Sequence, residues 1–311
     1  MKVFVAGASG VLGRPTVRRL VAAGHDVVGM TRREERAAEI RGDGAEAVVC
    51  DVFDAEGLRE AVVAARPEVV VHLLTSLPQR YSLKEDYLAP TNEVRRVGTR
   101  NLIAAARAAE ARRLVAESIA FAYEPEGGWV KDEEAPLQRN APEPFGGAVA
   151  AVTEMEQEVG EAEGLEGLVL RFGWLYGPGT YYGRGGKQAE EVQKRRFPIV
   201  GKGNGVFSLI HSEDAAAATV AAVERGAPGI YNVADDEPAP LREWLPVYAE
   251  ALGAKPPRRL PVWLVRLAAG EMIAGSLTQM RGADNSKAKR ELGWQPEHAS
   301  WRQGFAASLR A

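Results

Sequence analysis

A chain of 311 residues, 46% hydrophobic and 26% charged, has the composition of a folded globular protein and the length for one large or two medium domains. Its formal charge of −3, with Lys and Arg scattered, gives no electrostatic ground for nucleic acid or an anionic membrane as partner. A single cysteine, Cys50, excludes an intramolecular disulfide and fits a reducing compartment.

Cys50 closes an apolar run, where a buried structural thiol is expected rather than a nucleophile. The N-terminus passes straight into a strand with no signal-peptide layout. The longest apolar stretch, Trp263 to Met280, is broken by Arg266 and Glu271 and reads as an amphipathic helix, not a membrane span. A cytoplasmic protein is expected.

In chain order, β-rich runs alternate with helical patterns. Strands are expected at Lys2–Ala6, Asp26–Met30, Ala47–Cys50, Glu68–Leu74, Arg113–Glu117 and Gly167–Leu170. Helices are expected near Val11–Ala23, Glu34–Arg41, Ala55–Ala65, Glu93–Ala109 and Phe145–Glu163. Continuous apolar runs such as Val69-Val70-Val71 suit strands covered on both faces. The alternation is that of repeated βαβ units, hence an α/β chain with a doubly wound parallel sheet.

After Arg171 the rhythm breaks. Gly177 to Gly183 reads as a loop, followed by a helix ending in the solvated Lys194-Arg195-Arg196 and a short strand near Pro198–Gly201. A strand at Val206–Ile210, a helix at Glu213–Arg225 and a strand at Gly229–Val233 look like a return to the main sheet. From Pro238 the chain is helical with proline-rich joints. The expected organisation is a dinucleotide-binding domain over 1–171, rejoined by 206–235, and a smaller, mostly helical substrate lobe from 172–205 and 236–311.

Directly after the first strand comes Gly7-Ala8-Ser9-Gly10-Val11-Leu12-Gly13, then a helix. The first glycine permits a tight turn, the second lets backbone approach a pyrophosphate, and the third lets helix and strand pack closely. The helix N-terminus offers free amides to phosphate. Strand before, helix after and a βαβ unit around it form the context that makes this glycine pattern a Rossmann-type cofactor site. An acidic residue at the end of the second strand would favour NAD. Thr31-Arg32-Arg33 stands there instead, and guanidinium and hydroxyl groups suit a 2′-phosphate, so NADP is expected over NAD.

The G-x-x-G-x-x-G spacing resembles the extended short-chain dehydrogenases/reductases, the NAD-dependent epimerase/dehydratase family, along nearly the whole chain. Gly98-Thr99-Arg100-Asn101-Leu102 with Asn92 is similar to its fourth helix, and His211-Ser212-Glu213-Asp214 to a later strand-to-helix junction. Tyr231-Asn232-Val233 and Ala288 to Trp294 are similar to its closing segments. The resemblance implies an adenine contact at Asp51-Val52, and cofactor contacts along Leu73-Leu74-Thr75 and beside the nicotinamide at Phe172-Gly173-Trp174. It also implies a small organic substrate and pairing into a homodimer, for which the Ala-rich Ala104–Ala109 and Ala148–Ala151 surfaces would allow close approach.

The family's proton relay is missing. Typical members carry Tyr-x-x-x-Lys on the fifth helix, because a tyrosine needs a neighbouring ammonium to act as a base near neutral pH. Here Phe145 and Val149 occupy those places, and none of the eight tyrosines has lysine four positions later. Ile119 stands where the family's serine would be, with Ser118 one residue early. Phe145, Val149, Val152 and Val159 read as a core-facing stripe.

Substitute proton donors can be named: Tyr123 beyond the fifth strand, and Tyr181, Tyr182 and Lys187 on a loop expected to overhang the nicotinamide. Ser118 is a candidate for hydrogen bonding a substrate carbonyl, while Glu117 is expected to alternate away from the cleft. The four histidines show no metal spacing, no metal is expected, and His72 reads as a satisfied core residue. Asp235-Asp236 and Glu133-Glu134 read as solvated loop charges. Two functions are compatible with this pattern: an NADP(H)-dependent oxidoreductase or epimerase/dehydratase-like enzyme with a non-standard proton donor, and a non-catalytic NADP(H)-binding redox sensor.

Overall fold

A computed structural model of the chain describes residues 1–78 and 86–309. The first half runs β1 (Lys2–Ala6), α1 (Gly13–Ala22), β2 (Asp26–Thr31), α2 (Glu34–Gly42), β3 (Glu46–Val49), α3 (Ala55–Ala65) and β4 (Val69–His72). A long helix follows as α4 (Ala89–Glu93), a π-turn over Val94–Gly98 and α5 (Thr99–Ala108). Next come β5 (Arg113–Ile119), β6 (Val130–Lys131), α6 (Phe145–Gly160), β7 (Glu166–Phe172) and β8 (Trp174–Tyr176). The chain continues through α7 (Lys187–Gln193), β9 (Ile199–Val200), β10 (Val206–Phe207), β11 (Leu209–His211), α8 (Ser212–Glu224) and β12 (Gly229–Val233). It closes with β13 (Ala239–Pro240), α9 (Leu241–Ala251), β14 (Arg259–Leu260), α10 (Val262–Gln279), β15 (Gly282–Ala283), α11 (Ser286–Glu291) and α12 (Trp301–Leu309).

Seven strands form one parallel sheet in the order β12-β7-β5-β4-β1-β2-β3. Both faces are covered: α1 and α8 pack one side, and α3, α5 and α6 the other. That double cover explains the unbroken apolar strands. Val69, Val70 and Val71 are fully buried, each worth roughly 1.5–3 kcal/mol of burial. The order of strand addition reverses between β1 and β4, and this switch point opens a crevice at the C-terminal strand ends. A separate apolar cluster, built around Tyr176, Trp244, Tyr248, Trp301 and Phe305, forms the core of the later segments.

Three expectations need correction. The stretch Val206–Ile210 does not join the main sheet: the chain turns at Ser208, β10 pairs with β13, and β11 pairs with β8. The reason lies in distant segments, since the Ser208 carbonyl accepts from Trp174 N at 2.8 Å and its hydroxyl accepts from Ala283 N at 2.8 Å. Cys50 is half-exposed, because β3 is the edge of the sheet. The segment after Trp263 is two helices joined at Gly270 (φ +85°), and Trp263 and Leu267 lie 65% and 80% exposed rather than packed. The alanine stripes are divided between interior and surface: Ala105, Ala106, Ala148 and Ala151 are buried, whereas Ala104, Ala108 and Ala150 are exposed. Among the described residues no helix is long and apolar enough to cross a membrane.

Helix α6 is locked to the sheet by a buried ion pair. Arg171 on β7 donates from Nε to Glu156 Oε1 at 2.8 Å and from Nη2 to Oε2 at 2.6 Å. Both side chains are nearly inaccessible, so each charge depends on the other. Replacing Glu156 by Ala should cost about 3–5 kcal/mol in urea unfolding by leaving a buried guanidinium unpaired, whereas Glu156→Leu with Arg171→Met should recover most of that loss.

Candidate functional site

The phosphate turn is built by backbone contact. A Cβ on Gly13 would lie 2.0 Å from the Gly7 carbonyl oxygen, and one on Gly7 (φ +90°) 2.7 Å from that of Leu73. Neither position admits a side chain. A Cβ on Gly10 would meet only Gly7 O at 3.1 Å, and Gly10 itself is exposed on the crevice side. Gly10 N donates to Gly7 O at 2.9 Å, closing the turn. Val11 is 45% exposed beneath the 177–179 loop, its methyls 3.7 Å from where a Gly179 Cβ would sit.

From the turn the crevice extends two ways. Toward β2, Ser9 Oγ lies 3.2 Å from Thr31 Oγ1, which also accepts from Arg33 N at 3.4 Å. Arg32 and Arg33 are exposed, and among the described residues no carboxylate pairs with either. Met30, Arg32, Val52, Leu74, Thr75 and Val94 line a small pocket between the ends of β2 and β4. Val52 is held there by Asn101 Nδ2, which donates to its carbonyl at 2.8 Å, and Asp51 Oδ1 accepts from Phe53 N at 3.0 Å. These residues fit a dinucleotide: a cradle that excludes Cβ atoms, an apolar slot, and two guanidinium groups open to an anion.

Toward β5 and β7 the lining is apolar and aromatic. Phe145 opens α6, and Val149 and Val152 pack against Ile119 and Ala122 with Phe121 alongside. Phe121 stacks on Trp174 at 4.0 Å and 18°, and Trp174 in turn meets Tyr182 edge-on at 6.1 Å. Phe172 is buried, and Gly173 permits close approach to Ser208, whose carbonyl oxygen would be 2.6 Å from a Cβ there.

The candidate proton donors are occupied elsewhere. Ser118 Oγ, fully buried, donates to Glu156 Oε1 at 2.6 Å. Tyr123, 1% exposed, donates to Asn232 Oδ1 at 2.6 Å and accepts from Arg171 Nη1 at 3.0 Å; burial, first, pushes its phenol up. Tyr182 is buried among Trp174, Trp244 and Tyr248 in the lobe core. Tyr181 donates to the Pro78 carbonyl, and Lys187 Nζ pairs with Glu191 at 3.0 Å. Ser118 and Tyr123 converge on the Glu156–Arg171 pair, the first through Glu156 and the second through Arg171, while Tyr182 and Lys187 belong to a different part of the fold.

Several charges differ from their sequence reading. Asp235 is 1% exposed, not solvated, and burial pushes its carboxyl up to about 8. Glu133 is half-buried, its Oε1 accepting from Asn232 N at 2.8 Å, and burial pushes it up as well. Asp236 and Glu134 are exposed as expected. His72 is a satisfied core residue: Nδ1 accepts from Leu74 N at 3.2 Å, leaving Nε2 to donate to Thr99 Oγ1 at 3.0 Å. Burial and then Arg95 push it down to about 4, so it is neutral. His211, Asp214 and His298 do come together, with ligand-type atoms within 4.8 Å. Yet Asp214 is committed to Glu297 N, His298 N and His298 Nδ1, the pattern of a loop clamp.

Glu117, expected to turn away, keeps 13% side-chain exposure near the C-terminal end of β5 and lies 3.7 Å from Arg95 of the π-turn. Sequence reasoning passed over Arg95 and Phe121. A carboxylate closing the apolar Leu114-Val115-Ala116 run was the visible signal for the first.

The sequence profile of the NAD dependent epimerase/dehydratase family matches residues 3–234. A 3-diazoavenalumate denitrifying reductase from a Streptomyces species is 49% identical over 306 residues, covering 98% of this chain and 99% of that protein. A 4-hydroxy-2-methyl-3-oxo-4-farnesyl-3,4-dihydroquinoline-1-oxide ketoreductase of Stigmatella aurantiaca is 28% identical over 94% of this chain and 92% of its own length. Among solved structures, UDP-glucose 4-epimerase of Thermotoga maritima, crystallised with UDP-glucose, superposes with a TM-score of 0.79 at 21% identity, covering 99% and 97% of the two chains. The UDP-glucose 4-epimerase of Thermus thermophilus, in complex with NAD, gives 0.74 at 24% identity, covering 99% and 98%.

Two outcomes follow from this geometry. Gly10→Ala should leave the unfolding midpoint nearly unchanged and weaken dinucleotide binding by about tenfold or more in calorimetric titration, since its Cβ intrudes on the phosphate side of the turn. The second concerns pH. The folded pKa of Asp235, about 8, lies above the roughly 3.9 of a free aspartate, so the native state binds more protons between those values. Its contribution therefore falls as pH rises from about 4 to about 8, and Asp235→Asn should raise the melting temperature more at pH 8 than at pH 5.

Proposed function

The chain belongs to the NAD dependent epimerase/dehydratase family and is an NAD(P)-dependent enzyme, and on that premise we propose that it is an NADP(H)-dependent reductase of small aromatic diazo compounds. The observation that carries this reading is the apolar start of α6. Phe145 and Val149 stand where a tyrosine–lysine pair would supply a proton, and they pack with Ile119 and Phe121 into one hydrophobic wall.

The wall suits one kind of reduction better than another. A bound nicotinamide supplies hydride. Reducing a carbonyl also needs a proton at the oxygen, which is the tyrosine's task. Exchanging dinitrogen for hydrogen does not: the C–H bond forms from the hydride pair, the C–N bond breaks, and its electron pair departs with N2. The substrate carbon needs only alignment. A diazonium group is also cationic, so an ammonium at position 149 would repel it, and a valine removes that repulsion.

The Streptomyces relative, named for the denitrifying reduction of a diazo compound, supports the same class over the full length of the chain. That similarity also sets the enzyme reading above the redox sensor. In this proposal the glycine turn with Ser9, Val11 and Leu12 holds the pyrophosphate, Thr31, Arg32 and Arg33 hold the 2′-phosphate, and Asp51 and Val52 flank the adenine. Leu74 and Thr75 line the slot beside Val52, and Leu73, Phe172, Gly173 and Trp174 form the redox side. The Phe121–Trp174 stack offers a flat aromatic surface for a planar substrate between the sheet domain and the helical lobe.

NADPH should bind more tightly than NADH, with Arg32→Ala or Arg33→Ala weakening NADPH at least about tenfold and leaving NADH unchanged in calorimetric titration. With NADPH deuterated at C4 and an arene diazonium carboxylate, one N2 should appear per NADPH oxidised, with deuterium on the ring carbon. Reduction of ketones with no N2 from any diazo compound would overturn the reading.

A further inference from the structure

Glu117 lies on β5 near the C-terminal ends of the strands, and the reading above leaves its carboxyl without a role. Its register places it opposite Leu170 and one step past the Ala116–His72 pair, level with Leu73, whose carbonyl lies against Gly7. Strand β5 has strand neighbours on both sides and helices over both faces. The 13% of its side chain that stays exposed therefore opens over the C-terminal edge.

Arg95 Nε and Asn92 Oδ1 have no hydrogen-bond partner among the described residues, and Glu117 Oε1 has none closer than its 3.7 Å ion pair with Arg95 Nη2. Arg95 and Asn92 are each 5% exposed. Buried polar atoms are nearly always paired, so an unpaired cluster at an open strand end marks a place prepared for something else. The two helical residues flank or sit on the π-turn, a distortion concentrated at functional sites. Because β2 carries the groups suited to the adenosine end, a dinucleotide held by the turn extends the other way, over β4 and β5.

We propose that Glu117 is the counter-charge of the nicotinamide ring: its carboxyl keeps a proton while the ring is neutral and reduced, and releases it to water when the ring becomes positive. This rests on the cofactor reading of the preceding section. Charge balances, since the ring gains one positive charge as hydride leaves and the carboxyl loses one proton to solvent.

The surroundings permit that exchange. Burial pushes the Glu117 carboxyl up, opposed by Arg95. The other groups nearby do not compete: His72 on β4 is neutral, and Glu156 on α6 is closed off by Arg171 and Ser118. Val149 contributes no cation.

The test is calorimetric titration of the wild-type protein and Glu117→Gln with NADP+ and with NADPH near neutral pH, in two buffers of different ionisation enthalpy. The 2′-phosphate is common to both forms and cancels in their difference. Wild type should release more protons on binding NADP+ than NADPH. Glu117→Gln should abolish that difference and shift the NADP+/NADPH affinity ratio toward NADPH by about tenfold. A variant that keeps the wild-type proton difference and affinity ratio overturns the proposal. Binding of neither form by wild type would instead remove the cofactor reading and this inference with it. If Glu117→Gln does not fold, Glu117→Leu with Arg95→Met removes both charges together and serves the same comparison.

Discussion

The bidentate contact between Glu156 and Arg171 governs how the crevice is furnished. It crosses from the middle of α6 to the C-terminal half of β7, and its two bonds of 2.8 and 2.6 Å fix the helix in rotation as well as position. With that rotation set, Val149 and Val152 face Ile119 and Ala122, and the first turn of α6 offers the crevice a phenyl ring. The same pair gathers the polar side chains that a reader of the sequence would nominate for chemistry. Ser118 donates to Glu156 and Tyr123 accepts from Arg171, so both hydroxyls serve the charges rather than a substrate. A buried ion pair of this kind demands that its remaining valences be filled, and it fills them from its nearest hydroxyls.

That arrangement explains which parts of the molecule were legible in its sequence. The glycine turn was readable because its constraint is local: a Cβ 2.0 Å from a carbonyl oxygen leaves no choice of residue at Gly13. The strands were readable because burial on both faces writes itself as unbroken valine runs. Val206–Ile210 misled because two short strands with a turn at Ser208 have the same apolar content as one long strand. The partner of each half is decided by Trp174 and Ala283, far away in the chain. Asp235 and Glu133 looked like loop charges because nothing in their neighbourhood of sequence announces Trp301 or Asn232 above them. Polar contacts between distant segments leave no period and no motif, and they account for most of what sequence reasoning missed.

Charge, rather than any single residue, distinguishes this crevice. A site that protonates a substrate oxygen concentrates a phenol and an ammonium beside the cofactor. Here the corresponding helix face is hydrocarbon, His72 is held neutral, and Arg95 is turned toward Glu117. Arg32 and Arg33, the exposed cations of the crevice, stand at its other end, beside the slot at β2. The field along the crevice therefore runs from positive at the phosphate end to neutral or negative at the redox end. In a low-dielectric crevice such a gradient favours a polyanionic cofactor at one end and disfavours a second anion at the other.

The gradient also bears on why an enzyme scaffold would discard its proton relay and keep everything else. Losing a general acid costs about 10²–10⁴-fold where the transition state needs a proton, and nothing where it does not. A hydride acceptor that is already positive gains no help from an acid and is harmed by a neighbouring ammonium. Hydrocarbon at Phe145 and Val149 then ceases to be a loss. It lowers the local dielectric, so that the attraction between the oxidised ring and the proposed Glu117 counter-charge strengthens, and it excludes the water that would otherwise compete for a reactive electrophile. The stacked Phe121 and Trp174 extend the same dry surface toward the lobe, where a planar ring gains contact area without forming a hydrogen bond. Under the proposed function, apolar replacement of the relay, a carboxyl on β5 and an aromatic floor would be three expressions of one requirement: to hold an electron-poor ring still, away from water and away from positive charge.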